Sequence, residues 1–262
     1  KMMASFKQAN DYLVWLYENN QFEEMKTFKK NTLDKLSEVI DFDSGLWFTG
    51  SVVDKVHDKR SAYLHNQPTE MLANYADHSE TDALLLALLE HPGKTLDLYD
   101  LVPEADWKAS ENYTLHCEPY DIEWAVSTLI LEEDASIYHI ISLYRGKEST
   151  GFNQGERDLK ESLMPHLITA MKNNLFIQLE VSAKVHSDSW SVGICDYNGT
   201  LRQANHHFVT LLKQVCPNWK GEVLPFEFDL KQNTQKIPLE NHWLFCEMKE
   251  DYIYLKFLEK HI

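Results

Sequence analysis

The sequence predicts an α+β protein made of two modules, each with an antiparallel sheet and flanking helices, joined by one long helix over residues 153–184. Three observations carry this. Residues 123–131 and 136–144 are β-branched and aromatic runs on either side of the acidic turn Glu132-Glu133-Asp134-Ala135, the pattern of a central hairpin. From Asn153 the apolar period becomes helical, with Leu159, Leu163, Leu167, Ala170, Met171, Leu175, Ile177 and Leu179 recurring along it. From Trp190 to Ile262 the order is strand, strand, helix, connection, strand, strand.

The elements before the hairpin follow from spacing. Tyr12, Leu13, Leu16 and Tyr17 share one helical face; Phe28, Leu33, Leu36 and Val39 share another, with Asn19-Asn20 between them. Residues 44–49 follow an Asp-Ser-Gly turn and read as a strand, which Val52–Val56 would continue or pair with. Residues 69–75 and 81–90 read as helices, the second capped by Ser79 or Thr81 and stopped by His91-Pro92-Gly93. The long helix reaches roughly 45 Å at 1.5 Å per residue, too far to rest on one small sheet, and Pro165 should kink it. In the second module, Tyr197-Asn198-Gly199 makes a hairpin of residues 190–196 and 200–204. Asn205 caps a helix with Phe208, Leu211, Leu212 and Val215 on its core face, ended by Cys216-Pro217. A last hairpin pairs 242–248 with 252–258 through Lys249-Glu250-Asp251.

Composition narrows the function classes. The formal charge is −16, with 17 basic against 31 acidic residues through Lys184 and 8 against 10 after it. Such a chain lacks the Lys and Arg surface that neutralises phosphates, so no direct nucleic-acid contact is expected. No apolar stretch approaches the roughly 18 residues of a membrane span, and Lys1-Met2-Met3 does not open a secretion signal; the cytoplasm is the expected compartment. Cys117, Cys195, Cys216 and Cys246 are scattered and form no CxxC, so ordinary thiols are expected. There is no GxxxxGK[ST], GxGxxG, GxSxG or HExxH, and the paired carboxylates Glu132-Glu133-Asp134 sit in a solvated turn. The chain is therefore read as a non-enzyme with no catalytic residue, no metal site and no cofactor. His206-His207 diverge by about 100° on a helix and cannot readily share one ion. His116-Cys117 offers an imidazole and a thiol without any ligand motif around them.

One stretch is distinctive: Phe152-Asn153-Gln154-Gly155-Glu156-Arg157-Asp158-Leu159, continued by Leu163-Met164-Pro165-His166-Leu167-Ile168-Thr169-Ala170. It resembles the sensory region of bacterial LuxR-type helix-turn-helix transcriptional regulators, at the point where a GAF-like sheet runs into its exit helix. Asp196 to Asn205 is similar, more generically, to the opening hairpin of a PAS-like module. The resemblance implies a GAF-like sensor at 1–152, a connecting and dimerisation helix at 153–184 and a PAS-like domain at 185–262. The sequence ends at Glu259-Lys260-His261-Ile262, where such regulators continue into a basic DNA reader. A sensing region without its reader is expected, working as a homodimer and coupling a ligand pocket to output elsewhere. The alternative is a sensory or scaffold module acting through protein–protein interaction.

The candidate site comes from the aromatic residues crowding the first module. Trp47, Tyr63, Tyr75, Trp107, Tyr113, His116, Tyr120 and Trp124 are the expected ligand-binding set, with an unidentified small molecule between the sheet and residues 99–122. Leu163, Leu167, Met171, Leu175 and Leu179 are the expected dimer and coupling positions on the long helix.

Overall fold

The computed structural model describes residues 5–19, 24–51, 62–76, 83–182, 190–221, 223–249 and 252–260, with backbone only at 51, 74–76, 181 and 182. It is an α+β structure with two five-stranded sheets, ordered β2-β1-β5-β4-β3 and β7-β6-β10-β9-β8. The chain divides into two compact units: 1–50, 55–131 and 138–171 form the first; 51–54, 132–137 and 172–262 form the second.

The first unit opens with α1 (Phe6–Glu18), started by a capping box in which the Ser5 hydroxyl accepts from Gln8 N and the Gln8 side chain accepts from Ser5 N. α2 (Met25–Leu36) follows, then β1 (Ser44–Ser51) and β2 (Ala62–His65), which pair antiparallel. α3 (Glu70–Ala76) and α4 (Ala83–Glu90) lead to β3 (Thr95–Asp97), which pairs antiparallel with β4 (Trp124–Glu132). Between them lie α5 (Leu98–Leu101), α6 (Glu104–Lys108), a π-helical turn at Tyr113–Cys117 and a 3-10 turn at Glu118–Tyr120. β5 (Ile137–Arg145) and α7 (Gln154–Ser182) complete the connection.

Because side chains alternate along a strand, this sheet has two different faces. Trp47 of β1, Val126 of β4, and Ile141 and Leu143 of β5 meet Tyr12, Leu16, Phe28 and Leu33 from α1 and α2, and Leu163, Leu167, Ile168 and Met171 from α7. Phe48, Leu129, Tyr138 and Ile140 face the other way, against Leu84, Leu85, Leu88 and Leu89 of α4. Two lysines are buried on the helical face. Lys160 Nζ donates to Thr128 Oγ1 (2.6 Å) and Ile141 O (2.7 Å), and burial pushes its pKa far down. The Lys29 ammonium lies 5.6 Å from the Trp47 ring centroid, and burial pushes its pKa down to about 8.

The second unit follows from equally local rules. β6 (Val192–Cys195) and β7 (Leu201–Ala204) form a hairpin at Asn198-Gly199, where Gly199 takes φ 82° and Asp196 Oδ1 accepts from Asn198 N and Thr200 N. Asn205 Oδ1 accepts from Phe208 N and starts α8 (His206–Val215), which buries Phe208, Val209 and Leu212. β8 (Thr234–Pro238), β9 (His242–Met248) and β10 (Ile253–Glu259) finish the sheet. One face holds Phe208, Leu212, Cys195, Leu244, Leu255 and Phe257, joined by Ala135 and Ile137 from the hairpin tip. The other face, Val192, Ile194, Phe245 and Tyr254, is covered by Leu175, Phe176 and Leu179 of α7.

The sequence-predicted hairpins and helices occur within a residue or two of their expected ends where described. The edge strands β2, β3 and β8 were not anticipated, because each is short and only part-buried. α7 is assigned as one unbroken helix through Pro165. Val52–Val56, Ser79, Thr81, Glu250 and Asp251 lie outside the described residues.

The Lys29 shift makes stability depend on pH with a definite sign. Its folded-state pKa is lowered from 10.5 to about 8, so the unfolded chain binds the proton more tightly between those values and stability rises with pH across that window. Lys29→Met should therefore be more stable than wild type at pH 7, by at most about 3 kcal/mol, and the advantage should shrink as pH rises from 8 towards 10.5. Urea denaturation across that range checks it; parallel curves would refute the assignment.

Candidate functional site

The face of the first sheet turned away from α1, α2 and α7 floors a cavity of about 130 Å³. Leu46 and Phe48 of β1, Ala62 and Leu64 of β2, Ala125 and Ser127 of β4, and Ile140, Ser142 and Tyr144 of β5 line it, each set spaced by two residues as the pleat requires. Met71 and Leu72 of α3 and Leu84, Leu85 and Leu88 of α4 form one wall. Leu98, Trp107, Asn112, His116, Cys117 and Ile122 form another, from the segment linking β3 to β4. The cavity is of the size of an engineered apolar cavity of about 150 Å³ that admits benzene.

Its lining is mainly apolar, with Ser127, Ser142, Asn112 and His116 among its polar side chains. In the floor the Ser127 and Ser142 hydroxyls lie 2.6 Å apart across β4 and β5, both buried. Two hydroxyls hold two donors and four acceptor positions; the bond between them uses one of each and leaves one donor and three acceptor positions. Among the described residues, no carboxylate, lysine or arginine lines the cavity. The floor can thus hydrogen-bond an uncharged polar group, while a charged one would meet no counter-charge there.

The wall from the β3–β4 segment is fixed by Glu123, a buried carboxylate just before β4. Its Oε1 lies 2.5 Å from Lys108 Nζ, and its Oε2 accepts from Tyr113 OH at 2.9 Å. Burial opposes its ionisation, but the bonds from Lys108 and Tyr113 outweigh that and hold the carboxyl below its ordinary value. Farther along the same wall, Asp97 caps α5 by accepting from Tyr99 N, and Arg157 of α7 bonds both Asp97 (3.1 Å) and Asp100 (2.6 Å). Leu98, which lines the cavity, sits directly after Asp97. Glu161 of α7 accepts from Thr95 N at 2.7 Å. Two carboxylates and an amide of the β3–α5 corner are thereby bonded to α7.

The sequence-predicted aromatic set is divided by this geometry. Trp107 and His116 line the cavity. Tyr113 stands behind them, buried, edge-on to Trp107 and bonded to Glu123. Tyr120 packs with Ile122, Ala125 and Tyr144 beside the cavity. Trp47 and Tyr63 belong to the helical face, because they sit at the alternate positions of β1 and β2. Trp124 is held by its Nε1 donating to Ser149 O and by Tyr99 edge-on at 5.3 Å. The Tyr75 side chain lies outside the described residues. The sheet-floor residues were missed because aromatic content was weighed above strand parity; counting by two from Phe48 would have found Leu46 and pointed to the face.

The five helix positions are occupied within the chain. Leu163, Leu167 and Met171 are buried in the helical-face core of the first unit. Leu175 and Leu179 pack against Val192, Phe245 and Tyr254 in the second. Glu180, one residue on, accepts from Tyr254 OH and Lys256 Nζ. Apolar spacing on α7 thus coincides with packing against its own units.

What these features define is an α+β protein with a sheet-floored apolar cavity bonded at one corner to a long helix. No protein-family profile matches the sequence, and no curated protein matches it. Among solved structures, it is similar to CepR2 of Burkholderia cenocepacia, an N-acylhomoserine lactone-dependent LuxR family transcription factor, at 12% identity over 66% of this chain and 98% of that one, with a TM-score of 0.48. It is also similar to Escherichia coli SdiA (14% identity, 70% and 73% covered, TM-score 0.45) and to the ligand-binding domain of VqsR from Pseudomonas aeruginosa (20% identity, 65% and 96%, TM-score 0.39). At such scores the likeness is one of outline and assigns nothing to this chain.

The placement of Leu175 has a direct consequence. Leu175→Asp should destabilise the second unit by roughly 2–4 kcal/mol, since it sets a carboxylate against an apolar sheet face. Hydrogen exchange of the β6 and β10 amides should rise while the mass by light scattering stays that of wild type. A drop in mass with those amides still protected would restore α7 as a dimer seam.

Proposed function

We propose that the first unit is a sensor for a small, uncharged, largely apolar molecule bearing one hydrogen-bonding group, and that α7 carries its occupancy outward. The observation that carries this reading is the cavity itself: mainly apolar walls, with Asn112 and His116 on one side, over a floor that holds the buried hydroxyl pair Ser127 and Ser142. A concave, mainly apolar pocket with a few convergent polar groups is the usual form of a small-molecule site. The corner bonds Arg157–Asp97, Arg157–Asp100 and Glu161–Thr95 support a route from cavity wall to helix. The resemblance of the Phe152–Ala170 stretch to LuxR-type sensory regions supports transcription regulation as the output, through a DNA-binding domain other than the residues present here. In this reading the first unit is the GAF-like sensor and the second the PAS-like module.

1-Naphthol tests the reading, because it joins an apolar bicycle to one hydroxyl and its emission changes when it leaves water. Saturable binding to wild type is expected. Ser127→Val with Ser142→Val, which removes both partners together and leaves neither unsatisfied, should change stability by less than about 1 kcal/mol. It should weaken 1-naphthol by about 3- to 10-fold while leaving naphthalene unchanged. Ala125→Leu should weaken both by filling the floor. Absence of 1-naphthol binding by wild type, or equal binding by all three proteins, would overturn the proposal.

A further inference from the structure

We propose that residues Glu104–Tyr120 form a hinged lid on the cavity, latched by Glu123 through Lys108 and Tyr113, and that opening this latch lets ligand in and out. The passage role rests on the sensing function proposed above; the latch itself does not.

The segment has the construction of a separable part. It presents Trp107, Asn112, His116 and Cys117 to the cavity, while Glu104, Asp106, Glu111, Thr114 and Glu118 face solvent. Its backbone bonds are local, such as Ala109 N to Ala105 O, Thr114 N to Ser110 O and Glu118 N to Tyr113 O, so moving it breaks no sheet ladder. Both ends are suited to pivoting. At one end the extended Val102 (φ −132°, ψ 131°) precedes Pro103; at the other Asp121 takes the left-handed conformation (φ 52°, ψ 44°), which Asp tolerates better than most residues. The π-helical turn at Tyr113–Cys117 is a rare geometry, frequent at functional sites, and His116 and Cys117 within it lie in the cavity wall.

Attachments among the described residues differ in kind along the lid. Gln67 Nε2 donates to Tyr120 O (3.0 Å), Lys147 Nζ meets Glu118 Oε1 (3.3 Å), and Met71 packs by Cys117 and Tyr120, all beside the Asp121 pivot. Toward the other end and middle, the lid is held by Glu123: Lys108 Nζ at 2.5 Å, itself oriented by Glu104 at 2.7 Å, and Tyr113 OH at 2.9 Å. Glu123 is only 7% exposed, so breaking both bonds strands a buried carboxylate. That cost favours two discrete positions, closed with the carboxylate satisfied and open with it hydrated, over a graded loosening.

The test uses the full chain with Lys108→Met, Glu123→Gln and, as the conservative control, Lys108→Arg; Lys108 is part-exposed, so its variants threaten the core least. Hydrogen exchange without ligand should show amides of residues 105–117 exchanging about tenfold faster in Lys108→Met and Glu123→Gln, the loss of one charge-assisted bond. β4 and β5 should be unchanged, and Lys108→Arg should behave as wild type. In stopped-flow mixing with 1-naphthol, association and dissociation rates should rise together in the first two variants, with Kd kept within about twofold, since a lid alters the barrier and not the bound contacts. Unchanged exchange in residues 105–117 overturns the latch, whatever 1-naphthol does. Faster exchange with both 1-naphthol rates unchanged overturns the passage role. If wild type does not bind 1-naphthol, the sensing reading fails and the passage role with it, while exchange still decides the latch.

Discussion

The buried guanidinium of Arg145, at the end of β5, ties the first unit together. A fixed charge taken out of water is tolerated only when its donors are met, and Arg145 is met from several directions. It donates to Asp41 O (2.8 Å) at the entrance to β1, to Thr150 O and Gly151 O (both 3.1 Å) in the loop after β5, and to Glu156 Oε1 (2.7 Å) on α7. The Phe152 ring lies 3.9 Å beneath its plane centre. The central strand, the chain entering the sheet and the start of α7 therefore converge on one group. Moving any of them leaves a charge uncompensated in a buried place.

That junction gives a physical account of the sequence stretch that looked most distinctive. Phe152 is the surface on which Arg145 stacks. Asn153 and Glu156 close the α7 capping box, Asn153 Oδ1 accepting from Glu156 N (3.0 Å) and Glu156 Oε2 from Asn153 N (2.9 Å), while the other Glu156 oxygen binds Arg145. Arg157 turns to Asp97 and Asp100 at the cavity corner. His166 meets Tyr17 of α1, Nδ1 to OH at 2.9 Å, and so joins α7 to α1. The pattern is legible in sequence because local geometry makes strict demands: a cap needs its partner three residues on, and a stacked guanidinium needs a ring.

The fold was legible for the same reason. The β4–β5 hairpin, α7, the Asn198-Gly199 turn and the Asn205 cap each carry their signal within a few residues. The edge strands β2, β3 and β8 carry little, since each is short and its side chains are mostly only part-buried. The site was legible in its region and not in its residues. Of the expected set, Trp107 and His116 line the cavity while Trp47 and Trp124 are not in its lining, and Ser127 and Ser142 escaped because a serine in a strand has no signature until its cross-strand neighbour is known. The apolar stripe on α7 was seen correctly as a stripe; what covers it depends on long-range packing that periodicity does not encode.

The strict alternation of the first sheet has one more implication. Neighbours along β4 and β5 serve separate tasks: Val126, Ile141 and Leu143 hold the helices, while Ala125, Ser127, Ile140 and Ser142 shape the cavity. Drift at the second set need not disturb the first. A lineage could thus reshape the cavity by changes at every second residue while keeping the same scaffold, and sequence identity between two such proteins would then report shared architecture far better than a shared cavity.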